Sequence, residues 1–246
     1  MIDSSVFQSM SDYASLGQND AVLDIGAGLG FLTNFLSNKC KKVLAVELDD
    51  KLAKILCEQF DMPNVEVVRG NVLKVKLSGF NKVVSIPPYH ISSRLIVWLF
   101  SKSFDRAVLV FQKEFARRLV AIVGAEDYGW QAVLAYYHTE CELLDDIPRS
   151  MFYPQPEVDS VILRLTPKQT LPFNLKDEIL FMKMLKSAFT QRNRKIRNAL
   201  VPFLENTYGK SKQDAIKIAS TLPFREKRVR EMAPEDFGAL VNALEN

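Results

Sequence analysis

Residues Ala21 to Phe31 read AVLDIGAGLGF. A short apolar run, long enough for one buried strand, stops at a glycine. Gly26, Gly28 and Gly30 then lead into a helical segment, Phe31 to Ser37. Glycine permits tight turns and close approach of a ligand to the backbone. A helix start offers unpaired N–H groups to an anion. The spacing is G-x-G-x-G, not the G-x-G-x-x-G of dinucleotide sites, because position 31 is Phe. Such a loop suits a small carboxylate better than a pyrophosphate.

Outward from this loop, strand and helix signals alternate. KVLAVEL (Lys42 to Leu48) is a second strand, and DDKLAKILCEQF follows with Leu52, Ile55 and Leu56 at helical spacing. VEVVRGN (Val65 to Asn71), KVVSI (Lys82 to Ile86) and RAVLVFQ (Arg106 to Gln112) are three more strands. SSRLIVWLF opens with serines suited to an N-cap, and KEFARRLVAI is a further helix. Gln112, Lys113 and Glu114 read as a strand end passing into that helix. This alternation predicts an α/β fold with a mostly parallel, doubly wound sheet covered on both faces. AVLAYYHTECELLDDI and VDSVILRLT read as longer strands able to pair antiparallel at the sheet edge.

Around Pro167 the character changes. Helices are predicted over Lys176 to Leu204, Lys210 to Ser220 and Pro234 to Leu244. In APEDF a proline in the first turn and two acids beside the N-terminal dipole favour a helix start. The expected division is 1–168 for the sheet domain and 169–246 for a small all-helical C-terminal domain.

Composition sets outer bounds. A chain of 246 residues with 48% hydrophobic and 25% charged residues reads as soluble and globular. No apolar run reaches the eighteen residues of a membrane span, and MIDSSVFQSMSDYAS lacks the pattern of a secretory signal. Cys40, Cys57 and Cys141 are widely spaced, which favours reduced thiols over a disulfide frame or zinc site. His90 and His138 build no metal geometry, so no metal is expected. The segment KMLKSAFTQRNRKIR, Lys183 to Arg197, carries six Lys or Arg and no acid. It points to a polyanion partner.

In a doubly wound sheet, ligands collect at the carboxyl ends of the strands near the switch point. Gly26, Glu47, Asn71 and Ile86 fall on that edge. Glu47 ends the second strand about twenty residues after the loop, where a carboxylate takes ribose hydroxyls. The Asn71 amide has a donor and an acceptor for an adenine edge. These strand ends favour S-adenosyl-L-methionine (adenosylmethionine), with a nicotinamide dinucleotide as the competing ligand.

Several stretches together resemble the small-subunit ribosomal RNA adenine N6,N6-dimethyltransferases: VLDIGAGLGFLT, AVELDDKL, VVSIPPYHISS, LVFQKEFARRLVA, MFYPQPEVDSVILRL, AFTQRNRKIRNAL and APEDFGALVNAL. The resemblance covers nearly the whole chain. It implies a Rossmann-like class I methyltransferase sheet with a helical C-terminal domain. It also implies transfer of two methyl groups to each of two adjacent adenosines of small-subunit rRNA in an immature ribosomal subunit, by a cytoplasmic monomer. By position, Asp24, Gly26, Gly28, Gly30, Glu47, Leu48, Asn71 and Ile86 hold adenosylmethionine. Ile86, Pro87, Pro88, Tyr89 and Phe152 surround the target adenine, while Arg192, Arg194, Lys195 and Arg197 contact RNA phosphates.

The sequence departs from the family pattern at four places. The chain starts at Met1-Ile2-Asp3, about where a Gln-x-Phe-Leu element of the family ends. Asn71 replaces the usual Asp, Ile86 the usual Asn, and Arg94 a common Pro. An adenine amine is a poor nucleophile because its lone pair is delocalised into the ring. Two acceptors that pull it out of plane direct that pair at the donor methyl. Ile86 deletes one acceptor and keeps the Pro87 carbonyl. Ser85 is adjacent, but neighbouring strand residues point to opposite faces. The expectation is weakened catalysis, with a catalytically weak RNA-binding assembly factor as the alternative. A DNA amine methyltransferase is a third reading, which the tail does not favour.

Overall fold

The computed structural model describes residues 4–59 and 63–245. The family departure noted at Met1-Ile2-Asp3 lies outside the described residues. The strands are β1 (Ala21–Ile25), β2 (Lys42–Glu47), β3 (Val65–Arg69), β4 (Lys82–Ser85), β5 (Arg106–Gln112), β6 (Thr139–Ile147) and β7 (Ser160–Pro167). They form one sheet in the order β3-β2-β1-β4-β5-β7-β6. Pairings from β3 across to β5 are parallel, and β7 lies antiparallel to β5, with Gln112 opposite Ser160. The chain leaves β1 toward β2 and β3, then returns to β4 on the other side of β1. That reversal opens a crevice at the carboxyl ends of β1 and β4.

Among the helices, α1 (Ser4–Tyr13), α2 (Phe31–Ser37), α3 (Asp50–Gln59) and α4 (Ser92–Phe100) accompany the parallel strands. Val22, Leu23 and Ile25 of β1 are buried, as a parallel strand covered on both faces requires. Val6, Phe7 and Met10 of α1 pack with Leu32 and Leu36 of α2, and with Val84, Val110 and Ile162 of the sheet. Ser92 is the first residue of α4 and does not cap it. Its hydroxyl donates to the Tyr89 carbonyl at 2.7 Å, so the serine closes the preceding turn.

The chain separates into two compact units. One runs up to Ala116 and resumes over Glu140–Pro167; the other holds Arg117–Thr139 and the chain from Lys168 onward. The expected single cut near residue 168 therefore misses an insertion. The reason lies in the second unit's core. Tyr128 packs edge-on to Phe189, whose ring lies on Phe237, and Tyr137 meets Phe173 and Phe181. Tyr128 and Tyr137 bring residues 117–139 into that aromatic core. Within this unit Gly238 lies under the Phe173 ring, where a Cβ would come within 2.4 Å.

Two secondary-structure expectations are corrected. AVLAYYH is not strand: α6 covers Trp130–His138, and β6 begins only at Thr139. Ala132, Val133, Leu134, Ala135 and Tyr137 are all buried, so the run shows neither period clearly. The helix predicted over Lys176 to Leu204 is three helices, α7 (Glu178–Phe189), α8 (Ile196–Ala199) and α9 (Val201–Tyr208), after the short α5 (Lys113–Leu119) earlier in the chain. The break after Phe189 frees the backbone of Arg192 to Ile196 for another partner. Val229 N–H donates to Arg194 C=O and Ile196 N–H to Lys227 C=O, at 3.1 and 2.9 Å. Finally, α10 (Lys212–Thr221) is capped by the Ser211 hydroxyl, and α11 spans Pro234–Leu244 as expected.

Candidate active site and nucleic-acid interface

Gly26, Gly28 and Gly30 all have positive φ, at 73°, 59° and 79°. The loop folds back on the sheet instead of opening as an anion cradle. Gly26 and Ala27 N–H groups both donate to Val46 C=O, at 2.8 and 3.2 Å, and Gly30 N–H donates to Ala27 C=O. Gly28 N–H donates to Glu47 Oε2 at 2.8 Å. The expectation that these amides grip a carboxylate is thus corrected: the amides of 26, 27, 28 and 30 are spent within the protein. The first-turn amides of α2 keep no intrahelical partner.

Glu47 is buried at the end of β2. Its Oε1 accepts Asp49 N–H at 2.8 Å, so each carboxylate oxygen has one backbone donor. Each keeps a further lone pair for a ligand hydroxyl. Asn71 is half-buried, and its Oδ1 accepts Leu73 N–H at 2.9 Å. That bond fixes the amide and leaves Nδ2 as its donor. Gly70 N–H reaches Glu47 C=O at 2.8 Å, which joins the ends of β2 and β3. Leu48 is exposed just beyond Glu47.

The turn after β4 meets the glycine loop directly. A Cβ on Gly26 would lie 2.8 Å from Pro88 Cδ, so only glycine fits beneath that ring. Pro87 is buried and Pro88 exposed. Ser85 is fully buried: Ile25 N–H donates to its Oγ at 2.9 Å, and its hydroxyl donates to Ile25 C=O at 2.8 Å. It holds β4 to β1 and offers the crevice no acceptor. Tyr89 is half-buried, with its hydroxyl 2.6 Å from Ser160 Oγ. Burial lifts the Tyr89 phenol above its ordinary range, and the Ser160 contact offsets part of that.

A cavity of about 330 Å³ lies beside these elements, lined by Asp24, Gly26, Phe31, Ile86, Phe152 and Tyr153 among others. Of the sequence-predicted residues, Asp24, Gly26, Ile86 and Phe152 line it. Gly28, Gly30, Glu47, Leu48, Asn71, Pro87, Pro88 and Tyr89 do not. Ile86 and Phe152 also pack onto the apolar cluster that contains Phe7. Sequence reading missed Phe7, Phe31 and Tyr153 as lining residues. Tyr153 follows the singled-out Phe152, yet nothing in its spacing distinguished it. Ser160 lay inside the quoted PEVDS stretch without an assigned role.

Asp24, like Glu47, is a buried carboxyl of the site. Its Oδ2 accepts the Thr33 hydroxyl at 2.7 Å. Burial lifts its carboxyl to about 7, against the Thr33 hydrogen bond, and the Glu47 charge adds to the rise.

Within the second unit, the basic residues are largely engaged. Arg192 donates to the carbonyls of Glu126 and Ala125, at 2.6 and 3.0 Å. Lys195 and Arg197 share Glu226, at 2.7 and 2.6 Å. Arg194 is exposed. The partner of this segment is REKRVR, residues 225–230. Lys195 and Arg228 pair as an antiparallel bridge, flanked by Arg197 N–H to Arg225 C=O and Arg230 N–H to Arg192 C=O. Two basic segments, distant in sequence, therefore lie side by side.

Comparison with known proteins decides the family. The model described as "Ribosomal RNA adenine dimethylase" matches residues 1–236. The chain belongs to this family. A relative from Methanosarcina acetivorans, named "Probable ribosomal RNA small subunit methyltransferase A", is 38% identical over 99% of this chain and 90% of its own length. One of the same name from Thermococcus kodakarensis is 36% identical over 96% of this chain and 84% of its own length. Among solved structures, a dimethyladenosine transferase from Plasmodium falciparum superposes with TM-score 0.83 at 27% identity, covering 100% of this chain and 97% of that one. The 23S rRNA methyltransferase ErmE superposes with TM-score 0.68 at 26% identity, over 99% and 98% of the two chains. The fold of this dimethylase-family chain is accordingly a class I methyltransferase sheet with an added helical part. No helix of its described residues is long and apolar enough to cross a membrane.

Proposed function

We propose that this chain binds adenosylmethionine at the carboxyl edge of β1, β2 and β3 and methylates N6 of two adjacent adenosines in small-subunit rRNA. The observation that carries the reading is Gly26 beneath Pro88, which joins the glycine loop to the IPPY turn, with Gly26 and Ile86 lining one cavity. The residues present fit the donor. Glu47 keeps lone pairs for ribose hydroxyls, Asn71 Nδ2 is the donor assigned to an adenine edge, and Asp24 and Gly26 line the cavity assigned to the methionine end. When bound, the donor supplies an electrophilic methyl group.

The chain's own residues then position the target. Tyr89, its hydroxyl bonded to Ser160, and Phe152 are assigned to stack on an extruded base, and stacking of this kind contributes roughly 1–3 kcal/mol. Proline at 87 and 88 stiffens the turn. The Pro87 carbonyl accepts one N–H of the amine and directs its lone pair. The partner is rRNA in an immature ribosomal subunit, gripped through Arg192, Arg194, Lys195 and Arg197, and the protein acts as a cytoplasmic monomer. Mass spectrometry of an immature small subunit incubated with labelled adenosylmethionine tests this reading. Two methyl groups on each of two adjacent adenosines support it, and no transfer by either the wild type or an Ile86→Asn variant defeats it.

A second reading has its own observation. Ile86 packs into an apolar cluster, and Ser85, the adjacent hydroxyl, is consumed by Ile25. An acceptor is therefore missing from that side of the amine, a loss of roughly 3–4 kcal/mol of transition-state stabilisation. This favours an assembly factor that keeps donor and RNA binding while its chemistry is slow. A DNA amine methyltransferase draws no support from these features.

A further inference from the structure

Residues 122–125 form a turn closed by Ala125 N–H to Ile122 C=O at 3.1 Å, with Gly124 at φ 83°. Ile122 is 76% exposed and Val123 40% exposed. Turn tips are ordinarily built from Gly, Pro, Asn, Asp and Ser. Two β-branched aliphatic residues side by side at such a tip gain little from folding, because they remain in water.

The tip is firmly anchored. Gly124 N–H donates to Arg230 C=O at 3.0 Å, and the Arg192 guanidinium binds the carbonyls of Ala125 and Glu126. Just beyond it Tyr128 is buried and donates to Met232 C=O at 2.9 Å. Arg192 and Arg230 are themselves paired, so the tip stands at one end of the basic ladder. The ladder's two segments, RNRKIR and REKRVR, carry eight Lys or Arg against Glu226 within them and Glu231 and Asp236 paired to Arg228 and Lys227, which leaves a net positive charge. An apolar knob thus projects beside a strip of positive charge. A polyanion that also exposes flat apolar surface matches both halves, and unpaired nucleotides of RNA do so, whereas bases within a duplex are stacked away.

We infer that the Ile122–Val123 tip contacts unpaired nucleotides of the rRNA, while the ladder beside it holds the phosphates. The inference rests on the proposed rRNA substrate and adds to it a contact that discriminates unpaired from paired RNA. It predicts two separable terms in binding. The phosphate term depends steeply on salt, and the apolar term does not.

The test uses the full chain and two labelled RNAs of equal length, a fully paired hairpin and one with an internal loop of unpaired nucleotides. Affinity is measured at several salt concentrations. The Ile122→Ser/Val123→Ser variant is expected to lose about tenfold for the looped RNA. Its affinity for the paired RNA and its slope of log K against log salt stay at the wild-type value. Arg194→Ala is expected to weaken both RNAs and lower the slope by about one. Ile122→Phe, which enlarges the apolar contact, is expected to retain or raise affinity for the looped RNA and guards against a folding defect in the serine variant. Wild-type affinity for both RNAs in the serine variant, or an equal loss for both, overturns the inference. Failure of methyl transfer with this binding pattern intact counts against the proposed activity alone.

Discussion

Gly26 lies against the ring of Pro88, so closely that a Cβ at position 26 would stand 2.8 Å from Pro88 Cδ. The glycine loop and the turn after β4 therefore share one shape. Gly26→Ala faces a left-handed backbone, costing roughly 1–2 kcal/mol, and an overpacked contact costing roughly 1–3 kcal/mol. Thermal melting is expected to fall by several degrees, and calorimetry to show weaker adenosylmethionine binding. Adding Pro88→Ala removes the ring and is expected to recover the overpacking part only. An unchanged melting temperature in Gly26→Ala would refute the coupling.

Ile86→Asn returns a side-chain acceptor to the cavity wall. The first methyl transfer to adenosine is expected to quicken by about a hundredfold. The second is expected to gain less, because N6-methyladenosine has only one N–H left to satisfy. Mass spectrometry of early time points reads this as monomethyl product accumulating in the variant and not in the wild type. Equal rates for the two proteins would show that position 86 takes no part.

Asp24 makes stability depend on pH. Its carboxyl is raised from 3.8 to about 7 in the folded chain. Between those values the folded protein keeps a proton that the unfolded chain has lost. The contribution of Asp24 to stability is therefore full below about pH 4 and is lost as pH rises through about 7, by an amount on the order of 4 kcal/mol. Asp24→Asn keeps an acceptor for Thr33 and removes the titration. Its melting temperature is expected to change less between pH 5 and pH 8 than that of the wild type, and parallel profiles would contradict the assignment.

Glu226 is expected to compete with RNA for two cations. It holds both Lys195 and Arg197, and the Lys195 ammonium keeps its carboxyl below the usual range. In Glu226→Gln both cations are released. Affinity for rRNA is expected to rise at low salt, with a steeper dependence of log K on log salt. An unaltered slope would mean that neither cation reaches a phosphate.

Much of the fold was legible. Parallel strands buried on both faces announce themselves as apolar runs, and the glycine loop marked the crossing from β1 to α2. AVLAYYH escaped because a helix buried nearly all round leaves no polar face to set its period. The insertion of residues 117–139 into the helical unit escaped for a different reason. It is a matter of which aromatic rings meet, Tyr128 with Phe189 and Tyr137 with Phe181, and no local pattern encodes that. At the site, Gly26 and Ile86 were marked by the strands they follow, and Phe152 by the family resemblance alone. Phe7 comes from a helix far upstream and had no signal. The pairing of RNRKIR with REKRVR was hidden by the helical look of the first segment, although both charge runs stood in plain view.

The insertion bears on how the chain is made. During synthesis the sheet is complete once Pro167 has emerged, yet Arg117–Thr139 must wait for partners made far later. The Tyr128 hydroxyl finds its carbonyl only when Met232 arrives, and Gly124 only when Arg230 does. A nascent polypeptide therefore carries every residue of the crevice before it carries those that complete the helical unit, and truncation ahead of Arg230 removes the partners of Gly124 and Tyr128.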